Sequence, residues 1–422
     1  NTTGNGQFLN EINSDLISSR CDGFLVDPPP HNAEYFRDQI QAVINYFNFN
    51  AGTEEDIFEF YVLDEVLHLS KPMRDYSVSD DTIGELFSEA IDLAYSDGEL
   101  LNQDWYDEEE VGNYLFVVFH AGVGQDISFP YIDPTNYDIP SAYVDSEMLN
   151  DSWIYYDDIQ HGLVLPETLN HIYYNIIEDL FYGNENFCNY QLGMTGLFAL
   201  LLGYAMDLPP LYNTDNGNAG VGVFGLMDYG SNNGLGVIPA PVSPWSKINK
   251  NWATSEIIDF GQISLDINHI NKVEISNSNY LLIENKNNWI ENDIDLDSLR
   301  NKYKVWSNDA QDSIPGYFFD VLTERLDSDK INISETTNVI LGFDDYNYGL
   351  PGSGLLIWSI NEELINHSDL LSGINNNSNN RAIEIKEADG ARDIGLDCYH
   401  WNPSFCDILK KGWKYDLWHA EN

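Results

Sequence analysis

From Leu192 to Met206 this chain runs LGMTGLFALLLGYAM without a single charge, and at Leu208-Pro209-Pro210 the run is broken. Consecutive prolines remove backbone donors and clash with a preceding helical turn, so a helix over Gly196–Met206 has to end there. The helix is apolar around its whole circumference, which predicts burial on all sides rather than along one stripe. It is also shorter than the roughly 20 apolar residues that a bilayer-spanning helix needs. A fold for this chain must therefore build a core around the helix and turn sharply behind it. The turn leads into VGVFGLMDYGS (221–231) and then IPAPVSPW (238–245).

The flanking patterns supply partners for such a core. Asn32 reads as a helix cap, followed by Phe36, Ile40, Val43, Ile44 and Phe47 at helical spacing. FEFYVLDEVLHLS (58–70) alternates like a strand, and Thr82–Tyr95 places Ile83, Leu86, Phe87, Ala90 and Ala94 on one helical face. YLFVVFHAGVGQDI (114–127) is a continuous apolar run of the kind found in central strands, and it closes on a glycine turn. Its lone His120 is expected to be hydrogen-bonded structure rather than a ligand. Residues 172–190 read as helix followed by loop, and Ser243-Pro244 as the cap of a short helix. From about residue 253, short alternating runs separated by Asn, Asp and Gly predict a β-rich region. The expected fold class is α+β. An N-terminal domain over 1–252 holds a mixed sheet backing the buried helix, and a β-rich domain follows over 253–422.

Charge narrows the function. Sixty-nine acidic residues against 19 basic ones give a formal charge of −50, while 43% hydrophobic and 13% aromatic content remain globular values. Such a surface repels nucleic acid phosphates and anionic membranes, so neither nucleic acid binding nor membrane insertion is expected. It suits a salty medium, divalent cations or a basic partner. The polar start NTTGNGQ reads as a mature chain whose leader has been removed. Of the four cysteines, Cys398 and Cys406 are close enough in sequence to be the favoured pair, and Cys21 and Cys188 can pair only if the fold joins them. Disulfide use fits an extracellular or cell-surface location.

The stretch Gly193–Trp245 resembles the active-site segment of the immune-inhibitor-A-like (M6) family of secreted zinc metalloproteases. There, a helix carrying HExGH leads into a G-L-P-D-L-Y-type turn, and a Met-containing turn follows beneath the metal. Further segments match in order: Pro72-Met73-Arg74-Asp75-Tyr76, F-H-A-G-x-G at 119–124, GLVLPETLNH, YLLIENK, LPGSGLLIWSIN and AIEIKEADGARDIG. The resemblance covers roughly 58–418, and it implies a zincin-like metalloprotease domain with Met227 as the Met-turn residue. Aligned back from Leu208-Pro209-Pro210-Leu211-Tyr212, the first ligand position is Leu200, the general base Leu201, the second ligand Tyr204 and the third ligand Pro210. Where the family usually places a His between the Trp and Ile of LIWSI, this chain has Ser359.

Those replacements remove the chemistry. HExxH works because two His at i and i+4 share a helix face and hold zinc while the Glu polarises its water. Leu200 and Leu201 offer no donor atoms, Pro210 only a carbonyl, and a phenol with a pKa near ~10 is a poor ligand alone. Leucines pack instead, each contributing about 1.5–3 kcal/mol on burial. No two of the nine histidines stand three or four apart. The glycine motifs at 221–225 and 352–354 lack the context of phosphate loops or of G-x-S-x-G. Zinc is therefore not expected. Calcium stays open as a cofactor, with Asp215 in Asn213–Asn218 and Asp293, Asp295 and Asp297 in Glu291–Asp297 as candidate ligands at alternate positions. Plain Asx-rich turns are the competing reading of both clusters.

The expected function is a secreted, catalytically inactive M6 metalloprotease homologue, a pseudopeptidase, acting as a binding or structural extracellular protein. Its expected partner is another protein or a second copy. Two alternatives remain: an active metalloendopeptidase with a rebuilt metal site, and a subunit of an extracellular or cell-surface assembly.

Overall fold

In the computed structural model, Asn32 opens a helix as its position ahead of a 3.6-spaced apolar series predicts. Its side chain accepts from the Tyr35 N–H at 3.1 Å, and helix α1 spans Ala33–Ala51. The structure describes residues 6–11, 23–96, 98, 100–126, 136–155, 157–174, 191–258, 269–291, 294–296, 298, 319, 322–323, 326–327, 329–366, 370–396, 398 and 403–419. The chain divides into two compact units. The first comprises Asn1–Gln41, Glu59–Met194 and Ile333–Ile340, and the second Ala42–Phe58, Thr195–Asn332 and Leu341–Asn422. Residues on both sides of position 252 thus belong to the second unit. The cluster expected as helix and loop at 172–190 lies outside the described residues from 175 onward.

In the first unit, the short helix α2 (Met73–Tyr76) precedes α3 (Asp80–Ser96). The apolar face of α3 is the one its spacing predicts, with Ile83, Leu86, Phe87, Ala90 and Ala94 buried and Ile91 added to them. Segment 58–70 corrects the strand expectation: it is irregular, with bends at Asp64-Glu65 and Ser70, and joins no sheet. Leu63, Leu67 and Leu69 lie against the α3 cluster, while Phe58, Tyr61 and Val66 face solvent. Alternation reports which side chains are covered, not whether a neighbouring backbone is there to pair.

Three strands follow, β1 (Phe116–Val123), β2 (Ala142–Val144) and β3 (Gly162–Thr168), in the order β1-β3-β2. β1 runs parallel to β3 and β2 antiparallel to it, so the sheet is mixed. The central strand is β3, with every residue buried; the apolar β1, expected at the centre, is an edge strand with only His120 and Val123 buried. Pro166 sits within β3 opposite His120, and the register slips between His120 and Val123. A proline cannot donate to a ladder, and the bulge answers that local defect. The freed Gly122 N–H donates to Glu167 at 2.6 Å instead. Glu167 is fully buried and also takes the Leu9 N–H at 2.8 Å and His31 Nδ1 at 2.6 Å.

In the second unit, beyond Ala42–Phe58, α4 (Thr195–Ala205) is the helix read from the apolar run, and two 3₁₀ turns lead from it to α5 (Pro244–Asn249). Ser243 Oγ accepts from the Ser246 N–H at 3.2 Å with Pro244 at the first helical position, which is the expected cap. Strands β4 (Ser255–Ile257), β5 (Ile270–Glu274) and β6 (Asn279–Lys286) follow. A separate two-stranded pair is made by β7 (Ile331–Ile333) and β8 (Ile340–Phe343). Then come β9 (Gly354–Asn361), α6 (Glu362–Asn366), β10 (Ile383–Ile385) and α7 (Pro403–Lys411).

The five-stranded sheet has the order β10-β9-β6-β5-β4, antiparallel except between β4 and β5. Its buried face alternates along β9 through Leu356, Trp358 and Ile360 and along β6 through Leu282, Glu284 and Lys286. The last two form an ion pair of 2.7 Å, and Trp358 Nε1–H donates to Glu284 at 3.0 Å, so the buried charges are matched. Cys398 and Cys406 are disulfide-bonded, as their spacing suggested; Cys21 and Cys188 lie outside the described residues. The chain is thus mixed α and β with mixed sheets. No helix among the described residues is long and apolar enough to cross a membrane.

Candidate functional site

Helix α4 ends where the prolines require. The Leu208 N–H reaches Gly203 O at 2.9 Å and the Asp207 N–H reaches Tyr204 O at 2.9 Å, with Asp207 left-handed at φ 56°. This paired closure satisfies the last carbonyls of the helix before Pro209 takes the chain away. Two glycines mark where neighbours press on it. A Cβ on Gly196 would lie 1.8 Å from Ser231 O, and one on Gly203 would lie 2.6 Å from Met227 Sδ. Met227 is therefore packed directly on the helix.

The turn that holds Met227 is organised by its neighbour Asp228, which is 3% exposed. Asp228 Oδ2 accepts from the N–H groups of Gly220, Val221 and Gly222 at 2.8, 2.7 and 2.8 Å, and Oδ1 from Tyr229 at 2.7 Å. Burial pushes its carboxyl up to about 6 against the pull of those four donors. The Leu211 N–H bonds Met227 O at 2.8 Å and so fastens the segment after the prolines to the same turn.

Beside the glycine face, Leu197, Leu200 and Tyr204 form a half-buried stripe, while Leu201 and Pro210 are buried. The helix is thus not covered on all sides: residues three and four apart share a face, and this one stays partly open. Tyr204 Oη lies 2.8 Å from Tyr212 Oη. Burial first, then Tyr212 and Asp228, push the Tyr204 phenol well above its ordinary range. A zinc ion does not fit these residues. Leu200, Leu201 and Pro210 carry no side-chain donor, and the environment of Tyr204 disfavours the phenolate that a metal would need. His120, on β1, is 8% exposed; its Nδ1 meets Ala121 O at 3.0 Å, and burial lowers its pKa.

The calcium candidates do not converge among the described residues. Asp215 is exposed, in a turn where Asn213 Oδ1 accepts its N–H at 2.9 Å. Asp295 Oδ1 accepts from the Ser298 N–H at 2.6 Å, as a helix-capping Asp does. Asp293 and Asp297 lie outside the described residues.

A different acidic group does converge. Glu387, Asp393 and Asp416 each place a carboxylate oxygen so that all three lie within 4.8 Å of one another. Glu387 and Asp393 stand in the loop after β10, and Asp416 in the 3₁₀ turn Lys414–Asp416. Glu387 is 8% exposed and Asp416 0%. Glu387 Oε2 accepts from the Asp393 N–H at 2.7 Å, and Asp416 Oδ2 from the Trp413 N–H at 2.7 Å. Asp393 Oδ1 and Asp416 Oδ1 are buried and accept no hydrogen bond from the described residues. Burial, followed by mutual repulsion that includes Asp389, raises Asp416 to about 8. Glu387 is raised to about 7 by burial and by Asp393 and Asp389. Sequence reading passed over this group. The spacing of Glu387, Asp389 and Asp393 around Gly390 was the available signal, but Asp416 comes from a distant part of the chain.

No protein-family model matches the chain, and comparison with curated proteins and with solved structures likewise finds no match.

Proposed function

We propose that this chain is a secreted, catalytically inactive relative of the immune-inhibitor-A-like metalloproteases that acts outside the cell as a binding or structural protein. One observation carries the reading. Met227 packs on Gly203 of the helix Thr195–Ala205, which supports a frame like that of a zincin active site, while the positions that the resemblance gives to two ligands, the base and the third ligand hold Leu200, Tyr204, Leu201 and Pro210. A frame without donors cannot activate water, but its partly open stripe of Leu197, Leu200 and Tyr204 suits an apolar segment of a protein partner. That partner is another extracellular protein or a second copy of this chain. The charge of −50 favours a basic rim on such a partner.

The test is direct. The full chain is incubated with an unfolded protein substrate in the presence of zinc or of a chelator, and its metal content is measured in parallel. The expected outcome is no chelator-sensitive cleavage and zinc well below one ion per chain. Stoichiometric zinc with chelator-sensitive proteolysis overturns the reading.

A further inference from the structure

Three carboxylates that close on one point need a counter-charge, and the basic side chains nearby are engaged elsewhere. Lys386 and Arg392 pair with Glu384, and Lys411 pairs with Asp407. Arg381 donates to the main-chain oxygens of Ile394 and Ala219 at 2.7 and 3.3 Å. Asp389 adds a further negative charge beside the group, its oxygens taking the Ala391 N–H at 2.9 Å and Trp413 Nε1–H at 3.4 Å. What remains unanswered is specific: Asp416 Oδ1, on a residue with 0% exposure, and Asp393 Oδ1. Buried polar atoms in folded proteins are nearly always paired, so two adjacent orphaned carboxylate oxygens within one acidic cluster point to a missing positive ligand.

We propose that Glu387, Asp393 and Asp416 bind one calcium ion, which fastens the loop after β10 to the turn Lys414–Asp416.

The donor set selects the ion. Three carboxylates without His or Cys suit a hard cation rather than zinc or copper. Calcium–oxygen distances of about 2.3–2.6 Å allow ligand oxygens up to about 5 Å apart, whereas magnesium at about 2.0–2.1 Å draws them closer than about 4.2 Å. The three oxygens lie within 4.8 Å of one another, inside the span calcium allows, and calcium's tolerance of irregular geometry suits ligands held by two separate segments. The loop is set for the purpose by hydrogen bonds that leave lone pairs open. Asp393 N–H holds Glu387, Trp413 N–H holds Asp416, and Ala388 N–H reaches Asp416 O at 3.0 Å, which already brings the two segments together. The site is independent of the α4 face and of the function proposed for it.

Terbium is a luminescent substitute for calcium, and Trp413 is placed to sensitise it. The experiment uses the full chain freed of metal by a chelator and then dialysed into salt that screens the acidic surface. Thermal melting is followed with and without calcium, and terbium luminescence is excited through tryptophan and competed with calcium or magnesium. Expected are a calcium-dependent rise in Tm and a saturable terbium signal displaced by calcium at far lower concentration than by magnesium. Asp416→Asn and Asp393→Asn are expected to weaken both responses at least tenfold. Asp393 is half-buried, so its variant is the safer one for folding, and circular dichroism verifies each. In the chelated state these variants should melt close to the parent or above it, because each replaces an acidic group in a crowded cluster with a neutral amide that can donate. Equal calcium responses in parent and variants, or no response in the parent, overturn the proposal.

Discussion

Asp228 and Asp416 are both buried in the second unit, at 3% and 0% exposure, and burial raises both carboxyls. Their surroundings differ in one respect. Both Asp228 oxygens are met by backbone N–H groups, four in all, whereas Asp416 has one oxygen bonded to Trp413 N–H and one with no donor. Burial and a raised pKa therefore do not distinguish a structural acid from a binding acid. Unanswered acceptor capacity within a carboxylate cluster does. By that criterion Asp228 belongs to the architecture that holds Met227 on the helix, and Asp416 belongs to a site.

Substitution by asparagine separates the two most sharply. At position 228 an amide must direct its NH₂ either at Tyr229 N–H or at the three N–H groups of 220–222. Either choice leaves a buried donor unmet and removes the charge assistance. Asp228→Asn should lower the unfolding free energy by about 3 kcal/mol, as lost charged hydrogen bonds and a stranded donor do. At position 416 the same change, measured in chelator, places an NH₂ among carboxylate oxygens and should cost less than about 1 kcal/mol or stabilise. Urea denaturation of both variants in chelator checks the contrast, and comparable losses would break it.

Asp27 in the first unit sharpens the comparison from another side. It is 4% exposed and its Oδ2 is unanswered, yet among the described residues it belongs to no carboxylate cluster of the kind found at Asp416. Burial raises it to about 6, with Gln39, His31 and the Met194 backbone pulling it back only in part. A carboxyl raised in the folded state contributes stability below its unfolded value and loses it as pH rises through the folded one. For Asp27 the window is therefore between about 4 and 6. Two pH units correspond to at most about 3 kcal/mol. Asp27→Asn should gain that much over the parent between pH 4 and pH 7, and a pH series of denaturation curves measures it. Calcium should leave this difference unchanged.

Much of the local structure was legible because its causes are local. Asn32 caps α1, Ser243-Pro244 caps α5, and the apolar spacing of 82–95 names the buried face of α3. The prolines after Leu208 end α4 where a chain without donors must end it. What depends on distant partners was not legible. Segment 58–70 alternates as a strand does and finds no strand to pair with; 116–123 is apolar enough for a sheet centre and lies at its edge. The acidic clusters at 213–218 and 291–297 were visible as alternating oxygens, and Asn213 and Asp295 there bond the N–H groups of their own turns. The cluster with unanswered oxygens joins residues 387 and 393 to 416, and no local pattern announces such a meeting.

The smallest test concerns the stripe of α4. The Tyr204 and Tyr212 hydroxyls lie 2.8 Å apart, and Tyr204 is held protonated by burial. Were that phenol a remnant ligand, its loss would change metal content. As a packed side chain whose hydroxyl meets that of Tyr212, it should behave as an ordinary neutral hydrogen bond between partly buried groups. Tyr204→Phe is then expected to lower stability by about 1 kcal/mol, the usual net worth of such a bond. It should leave zinc content, calcium response and terbium luminescence as in the parent. A change in any metal readout would place Tyr204 with Asp416, among the residues whose polar atoms serve a ligand, rather than with Asp228.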